Sequence, residues 1–472
     1  MGDNMNRQPF MTSLILVALL LLSCHGWSEA VPKDLAGVDV KELAKAAESG
    51  DADAQYDLGR CHAYGKDMAL DKGEAVKWYT RAAEQRHAKA QHSLGSCYFN
   101  GEGVKKDMAQ AYKWWTRAAE QGYAEAQFAV GACLANGEGV AENKEEANKW
   151  FIRSAKEGHA NSQYILGIHY TNGLGVARDM KEAIKWYALA AEQNHPDAQY
   201  ELGACFERGD DGAINMEEAI KWYTRAADQG LAIAQFQLGY CHYNGHGVPK
   251  DAAKACILFS LAAESGLAKA QVGLGFCYWI GDGVTKDINE AIKWYTRAAE
   301  QDMPLAQHKL ALCFTGGEGG NKDMDKAIKW FTRAAEQGYP DSQYCLGICY
   351  ATGDGVPQDY AKAFSWIKLA AEQGLSNAQF SLAVFYEYGE TVTKDFIAAY
   401  MWYSLAASTL PIAAESRDIL VKQMSDSQIV EAKKLTQQFH SIAPKSPASE
   451  SAPEGPASPK PASIPTANVR WW

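Results

Sequence analysis

Apolar and polar positions along this chain recur with a fixed step of 36 residues. Ala54, Leu58 and Cys61 fall at i, i+4 and i+7, the spacing of one face of an α-helix. Ala75, Trp78 and Ala82, at i, i+3 and i+7, predict a second helix. Between the two stands Gly65, where a residue without Cβ stops a helix in the left-handed region at least cost. Asp71 follows, with a side-chain oxygen suited to accept from the free amides of a new helix. Stepping by 36 from Cys61 gives Cys97, Cys133, His169, Cys205, Cys241, Cys277, Cys313, Cys349 and Phe385. From Trp78 it gives Trp114, Trp150, Trp186, Trp222, Leu258, Trp294, Trp330, Trp366 and Trp402. Gln55 recurs through Gln379, and Asp71 through Asp395 with Asn143 and Asn215 in two copies, so the register holds over residues 51–410 as ten copies.

A helical hairpin this small cannot bury its own apolar face, whereas stacked neighbours share one continuous core. The pattern therefore predicts an all-α solenoid of ten 36-residue helix-turn-helix repeats. Glycine at Gly59, Gly95 and their equivalents lowers helix propensity by about 1 kcal/mol against Ala, which a close helix–helix approach would explain. The ten glutamines are expected to be buried and to satisfy loop amides.

These residues resemble the Sel-one-like repeat family, relatives of the tetratricopeptide repeats. The matching pattern is Ala-Gln-x-x-Leu-Gly, then Gly-x-Gly-Val-x-x-Asp, then Ala-x-x-Trp-Tyr-x-x-Ala-Ala-Glu-x-Gly. Asp287, Ala291, Trp294-Tyr295 and Ala298-Ala299-Glu300 show its last part. The resemblance implies a right-handed superhelix with the first helices on the concave side. It also implies adaptor work in membrane-associated complexes, in bacterial envelopes or the endoplasmic reticulum. Some secreted, cysteine-rich members have been assigned penicillin binding or β-lactamase activity and pair cysteines between the two helices of a repeat; here most repeats carry one Cys.

The ends read differently from the repeats. Arg7 precedes an apolar run from Met11 to Leu22, too short for the roughly 20 residues a membrane-spanning helix needs. Residues 1–30 are therefore expected to be a signal peptide. Ser28-x-Ala30 suits ordinary cleavage, whereas Leu21-Leu22-Ser23-Cys24 resembles a lipobox that would leave Cys24 lipidated and membrane-associated. Residues 31–50 read as an N-terminal half-repeat cap and 411–441 as C-terminal capping helices, with Ser425 and Gln428 at capping-box spacing. Residues 442–472 are rich in Pro, Ala and Ser, read as a disordered tail and end in Trp471-Trp472. Localisation is expected to be exported: periplasmic, outer-membrane-associated or secreted, or the lumen of the endoplasmic reticulum in a eukaryote.

A formal charge of −11 and a pI near 5.6 argue against a nucleic-acid partner. No cofactor or metal site is expected. His242 and His246 are separated by a helix-ending Gly245, and the Gly-x-Gly loops follow helices rather than strands. Ser365-x-x-Lys368 matches one element of penicillin-recognising enzymes, but its companion motifs are absent from the sequence. Equivalent thiols on neighbouring hairpins should stand about 8–10 Å apart, beyond the about 7 Å limit for bridged Cα atoms. Most cysteines thus read as small buried hydrophobes. Cys241 and Cys256, on the two helices of one repeat, are the pair set aside as a candidate disulfide.

Binding is sought where copies differ. First-helix positions 53, 57, 60 and 64 and their equivalents vary most and share a face. In the later copies this face turns apolar at Ile233, Tyr240, Phe276, Ile280, Leu305 and Leu312. Two readings stand: a groove for a protein or peptide, or packing of residues 240, 276 and 312 against the next repeat. The function expected is a non-catalytic protein-interaction scaffold. The alternatives are a β-lactamase-like enzyme, or a cell-wall glycan binder using aromatics near Tyr240, Phe276 and Trp279.

Overall fold

A computed structural model of the chain describes residues 33–35, 37–210, 212–316, 322–389 and 391–442. The expected signal peptide, Cys24 and the tail beyond residue 442 lie outside the described residues. The chain divides into two compact units at Gln229 and Gly230. Among the described residues there are 23 α-helices, one short 3-10 turn and no strand.

The first unit holds α1 (Val40–Glu48), α2 (Ala52–Tyr64), α3 (Lys72–Glu84), α4 (Ala88–Asn100), α5 (Met108–Ala119) and α6 (Ala124–Asn136). It continues with α7 (Lys144–Lys156), α8 (Ala160–Asn172), α9 (Met180–Glu192), α10 (Pro196–Arg208) and α11 (Met216–Asp228). The second holds α12 (Ala232–Asn244), α13 (Ala252–Glu264), α14 (Ala268–Ile280), α15 (Ile288–Glu300), α16 (Pro304–Gly316) and α17 (Met324–Glu336). After these come α18 (Pro340–Thr352), α19 (Tyr360–Glu372), α20 (Ser376–Tyr388), α21 (Phe396–Ala406), α22 (Pro411–Val421) and α23 (Asp426–Ile442). Within each unit the pairs stack in chain order, solenoid-like: a second helix packs on its own first helix and on the first helix of the next repeat.

Local chemistry sets each hairpin. Gly65 ends α2 at φ 69°, with its N–H on the Cys61 carbonyl. The chain then returns so that the Asp71 amide donates to the His62 carbonyl at 2.9 Å, and the Asp71 carboxylate accepts from the Glu74 amide at 2.9 Å. The same closure joins Asp107 to Tyr98 and Asp251 to His242.

The core of most pairs is a ring seated on a glycine; Ala311 and Ala383 replace the glycine in two repeats, and Gly347 faces Ile367. A Cβ added at Gly95 would stand 2.5 Å from Trp115 Cδ1, and one at Gly131 would stand 2.7 Å from Phe151 Cε1. The buried aromatic is therefore the residue after the tryptophan series: Tyr79, Trp115, Phe151, Tyr187 and Tyr223 are all within 2% of full burial. Trp78 lies half-buried at the rim, with the Arg81 guanidinium 4.4 Å from its ring centroid. Arg117 over Trp114, Arg225 over Trp222 and Arg297 over Trp294 repeat that contact.

The glutamines are buried, but their partners are not loop amides. Gln91 Nε2 donates to the Ala83 carbonyl at the end of the preceding second helix, 2.9 Å away, and its Oε1 accepts from Gln121 Nε2 at 2.7 Å. Gln343 does the same with the Ala335 carbonyl and Gln373. Such a glutamine ties the ends of successive second helices together. At Gln127 the tie is broken on one side for a plain chemical reason. The residue facing it in this series is Glu157, whose carboxylate cannot donate, and Gln127 Oε1 is buried with no hydrogen-bond partner.

Two outcomes follow for chemical unfolding. Glu157→Gln supplies the missing donor and should raise stability by about 1 kcal/mol, read as a higher denaturant midpoint. Gly131→Val drives a branched side chain into the Phe151 ring and should lower stability by about 2–3 kcal/mol.

Candidate protein-binding surface

The two helix types present different surfaces. On second helices, lysines one turn beyond a glutamate repeat: Lys77 with Glu74, Lys149 with Glu146 at 2.7 Å, Lys221 with Glu218 and Lys293 with Glu290 at 3.1 Å. Their side chains are mostly exposed, so these pairs mark a solvated face and contribute little to stability. The lysine series is interrupted at Ile257, which is 62% exposed beside Leu261 at 45%, before Lys293 and Lys329 resume it. Sequence reading overlooked this apolar spot, although the step Lys221, Ile257, Lys293 displays it.

First helices carry the non-repeating face. Ile233, Tyr240, Ile280, Leu305 and Leu312 are half-buried there. Phe276 is a correction: it is only 7% exposed and meets the Tyr243 ring edge-on at 6.4 Å. It belongs to the core between α12, α13 and α14, together with Leu274 and Cys277, and presents no contact surface. The series it belongs to includes the small residues Ser96, Ala132 and Ala204, all buried, and that smallness is the signal of tight packing. Tyr240 and Ile280 border the same core. Leu305 borders the core around Tyr295 and Leu310, and Leu312 the core around Phe331 and Leu346. The structure thus spreads the five surface residues over successive repeats instead of gathering them in one cluster.

Ser365 donates to the Ala361 carbonyl of its own helix at 2.9 Å, and Lys368 lies 3.9 Å from Glu372, so each is engaged within α19. His242 is buried and His246 is exposed beside the Tyr240 ring. Among the described residues no group of three or more His, Cys, Asp or Glu is placed to hold a metal ion, and no helix is long and apolar enough to cross a membrane. The repeat cysteines are buried thiols, and burial pushes Cys97 and Cys205 up to about 12. Cys241 and Cys256 carry no bridge between them; the Cys256 side chain turns instead to the Asp282 carbonyl, in a core it shares with Cys277.

This repeating geometry is that of a known family. The Sel1 repeat matches at residues 52–87, 88–123, 124–159, 160–195, 196–231, 232–267, 268–303, 304–339, 340–375 and 376–408. The chain belongs to the Sel1 repeat family. Among solved structures it is similar to a protective antigen of uropathogenic Escherichia coli strains that displays an SLR fold. The two share 33% identity over 87% of this chain and 96% of that one, with a TM-score of 0.60. A Sel1 repeat protein from Oxalobacter formigenes is 32% identical over 73% of this chain and 89% of its own, at a TM-score of 0.42. Among curated proteins no match was found. Proteins built from Sel1 and tetratricopeptide-like repeats are generally protein-interaction scaffolds, and this family is generally non-catalytic.

His169 and His308 sit in the packed interior, and His92 and His159 are half-buried beside these faces. Burial holds His92, His159 and His169 down at about 4 and His308 at about 3. His308 Nδ1 lies 2.9 Å from the buried Ser342 hydroxyl. A folded-state value below the unfolded one means that only the unfolded chain takes up these protons between about pH 6.5 and pH 4. Stability is therefore full above that window and falls as the pH is lowered through it. The urea midpoint should drop across this range, and His308→Phe with Ser342→Ala should make the drop shallower. The equivalent pair two repeats earlier is Phe236 with Ala270, so the double variant should keep its fold.

Proposed function

We propose that this chain is a non-catalytic scaffold working outside the cytosol, which takes a protein or peptide along the face lined by its first helices. That face is the concave side the family resemblance assigns to them. The observation that carries the proposal is the contrast between the two surfaces. Second helices repeat a charged lattice, whereas first helices expose side chains that differ from copy to copy and turn apolar at Ile233, Tyr240, Ile280, Leu305 and Leu312. A stack that presents many modest contacts at fixed spacing gains specificity from their sum. Half-buried aromatic and aliphatic groups suit such contacts, because little further ordering is needed when a partner covers them.

Export rests on the short apolar run, followed either by cleavage after Ala30 or, in its place, by lipidation at Cys24, which would tie the chain to a membrane. The similarity to a protein described as a protective antigen fits that reading. The engagement of Ser365 and Lys368 within α19 gives the β-lactamase-like alternative no support.

A photo-crosslinking residue placed at Tyr240 or Leu312, with Lys293 as the control on a second helix, tests the proposal in the native cell. One dominant protein adduct from 240 and 312, and none from 293, is expected. Leu312→Asp should reduce the adduct formed at 240 by about tenfold. Equal labelling from 293, or adducts indifferent to Leu312→Asp, would overturn the assignment.

A further inference from the structure

The residues 36 apart in the series from Val76 lie on second helices, and those from Cys97 lie on the first helix of the next repeat. The structure shows these two series meeting in pairs. Asn148 Oδ1 stands 2.6 Å from His169 Nδ1, and the Phe364 and Phe385 ring centroids are 5.7 Å apart. In most repeats a cysteine of the second series faces an aliphatic residue: Ile184 with Cys205, Ile292 with Cys313, Ile328 with Cys349. At one pair both members are cysteine, Cys256 on α13 and Cys277 on α14.

The surroundings of that pair match those of Asn148 and His169. Asn148 Nδ2 donates to the Leu174 carbonyl at 2.7 Å. Cys256 Sγ donates at 3.2 Å to the Asp282 carbonyl, the equivalent of Leu174 three repeats further along the chain. Cys256 and Cys277 are 3% and 0% exposed and belong to one core. The two hold the facing positions at which Asn148 meets His169 and Phe364 meets Phe385 in other repeats. Cysteines at two facing positions of packed helices are the arrangement from which a bridge can form.

We propose that Cys256 and Cys277 are a disulfide-forming pair that staples α13 to α14 across the boundary between two repeats. This differs from the Cys241–Cys256 pairing read from sequence, which would have joined two helices of one repeat. The oxidant class is a small-molecule disulfide such as oxidised glutathione. Cys256, 3% exposed against 0% for Cys277, is the member that meets the oxidant first. Its thiolate attacks one glutathione sulfur, forming a mixed disulfide and expelling one glutathione thiolate. The Cys277 thiolate then attacks the Cys256 sulfur and expels the second. Two protein thiols and one oxidised glutathione become one protein disulfide and two reduced glutathiones, which carry off both protons. The turn after α14 lies over this site: the Asp282 carbonyl accepts from Cys256, and the backbone at Gly283 packs so closely on α13 that a Cβ there would meet the Ala252 carbonyl oxygen at 2.3 Å. Oxidation thus proceeds when this turn opens, or during folding.

The test uses the full chain, fully reduced and then equilibrated with oxidised glutathione under native and refolding conditions. Cys256→Ile is the control; four other repeats carry isoleucine at that position, so the variant keeps the packing. Peptide mapping without reduction should recover a fragment linking 256 to 277. The oxidised protein should melt roughly 3–5 °C higher than the reduced one, whereas Cys256→Ile should not respond. Absence of the 256–277 fragment under both conditions, glutathione stranded on Cys256 without closure, or an equal thermal response in Cys256→Ile would each overturn the proposal.

Discussion

In most repeats the distance between the two helices is set by an aromatic ring pressed against a backbone with no side chain. Tyr79 on Gly59, Trp115 on Gly95 and Phe151 on Gly131 bring the helices close enough for everything else to reach. A glutamine side chain is just long enough to span from one second-helix end to the next at that separation, and it does so with bonds of 2.7 and 2.9 Å at Gln91. The return of the chain from His62 to Asp71 is equally short. Close approach of the two helices is why an unfavourable helix residue recurs at the centre of the first helix.

Much of this was legible in the residues alone. Gly65 as a left-handed stop and Asp71 as a cap follow from local chemistry, and the structure places both in those roles. The Trp78 and Tyr79 series could not be ranked by spacing, because adjacent aromatics differ by only one step around the helix. Which of them is buried depends on which faces the glycine, and that is a fact about the partner helix. The glutamines gave up their burial but not their partners, since carbonyls of a neighbouring repeat carry no sequence signature. Phe276 shows the same limit: an apolar residue on a variable face reads as a contact until the small residues elsewhere in its series are weighed. Equivalent thiols on neighbouring hairpins stand too far apart to pair, but a second helix also packs on the first helix of the repeat that follows it, which is where Cys277 faces Cys256.

The surface divides labour in a way the core does not. Repeated Glu and Lys pairs keep the second-helix face wet, and stacking arginines on the rim tryptophans shields their apolar rings without removing the charge from solvent. The first-helix face carries no such shared rule. Differences between copies are tolerated there because the rings seated on glycine, the Asp71-type caps and the glutamine ties do not draw on those positions. Ile257 and Leu261 are an exception on the charged side, and they lie on the same helix as Cys256.

The Asn148–His169 contact also works as an address. Most elements of a repeat are interchangeable, so removing a whole copy would rejoin equivalent helices with much the same rings, caps and glutamines. Asn148 is different. Deleting the repeat that contains His169 would bring it against Cys205, and the short polar contact of that junction would be gone. Matched pairs of this kind give otherwise uniform modules a required order, and they mark which neighbours cannot be shuffled when the array is shortened or recombined.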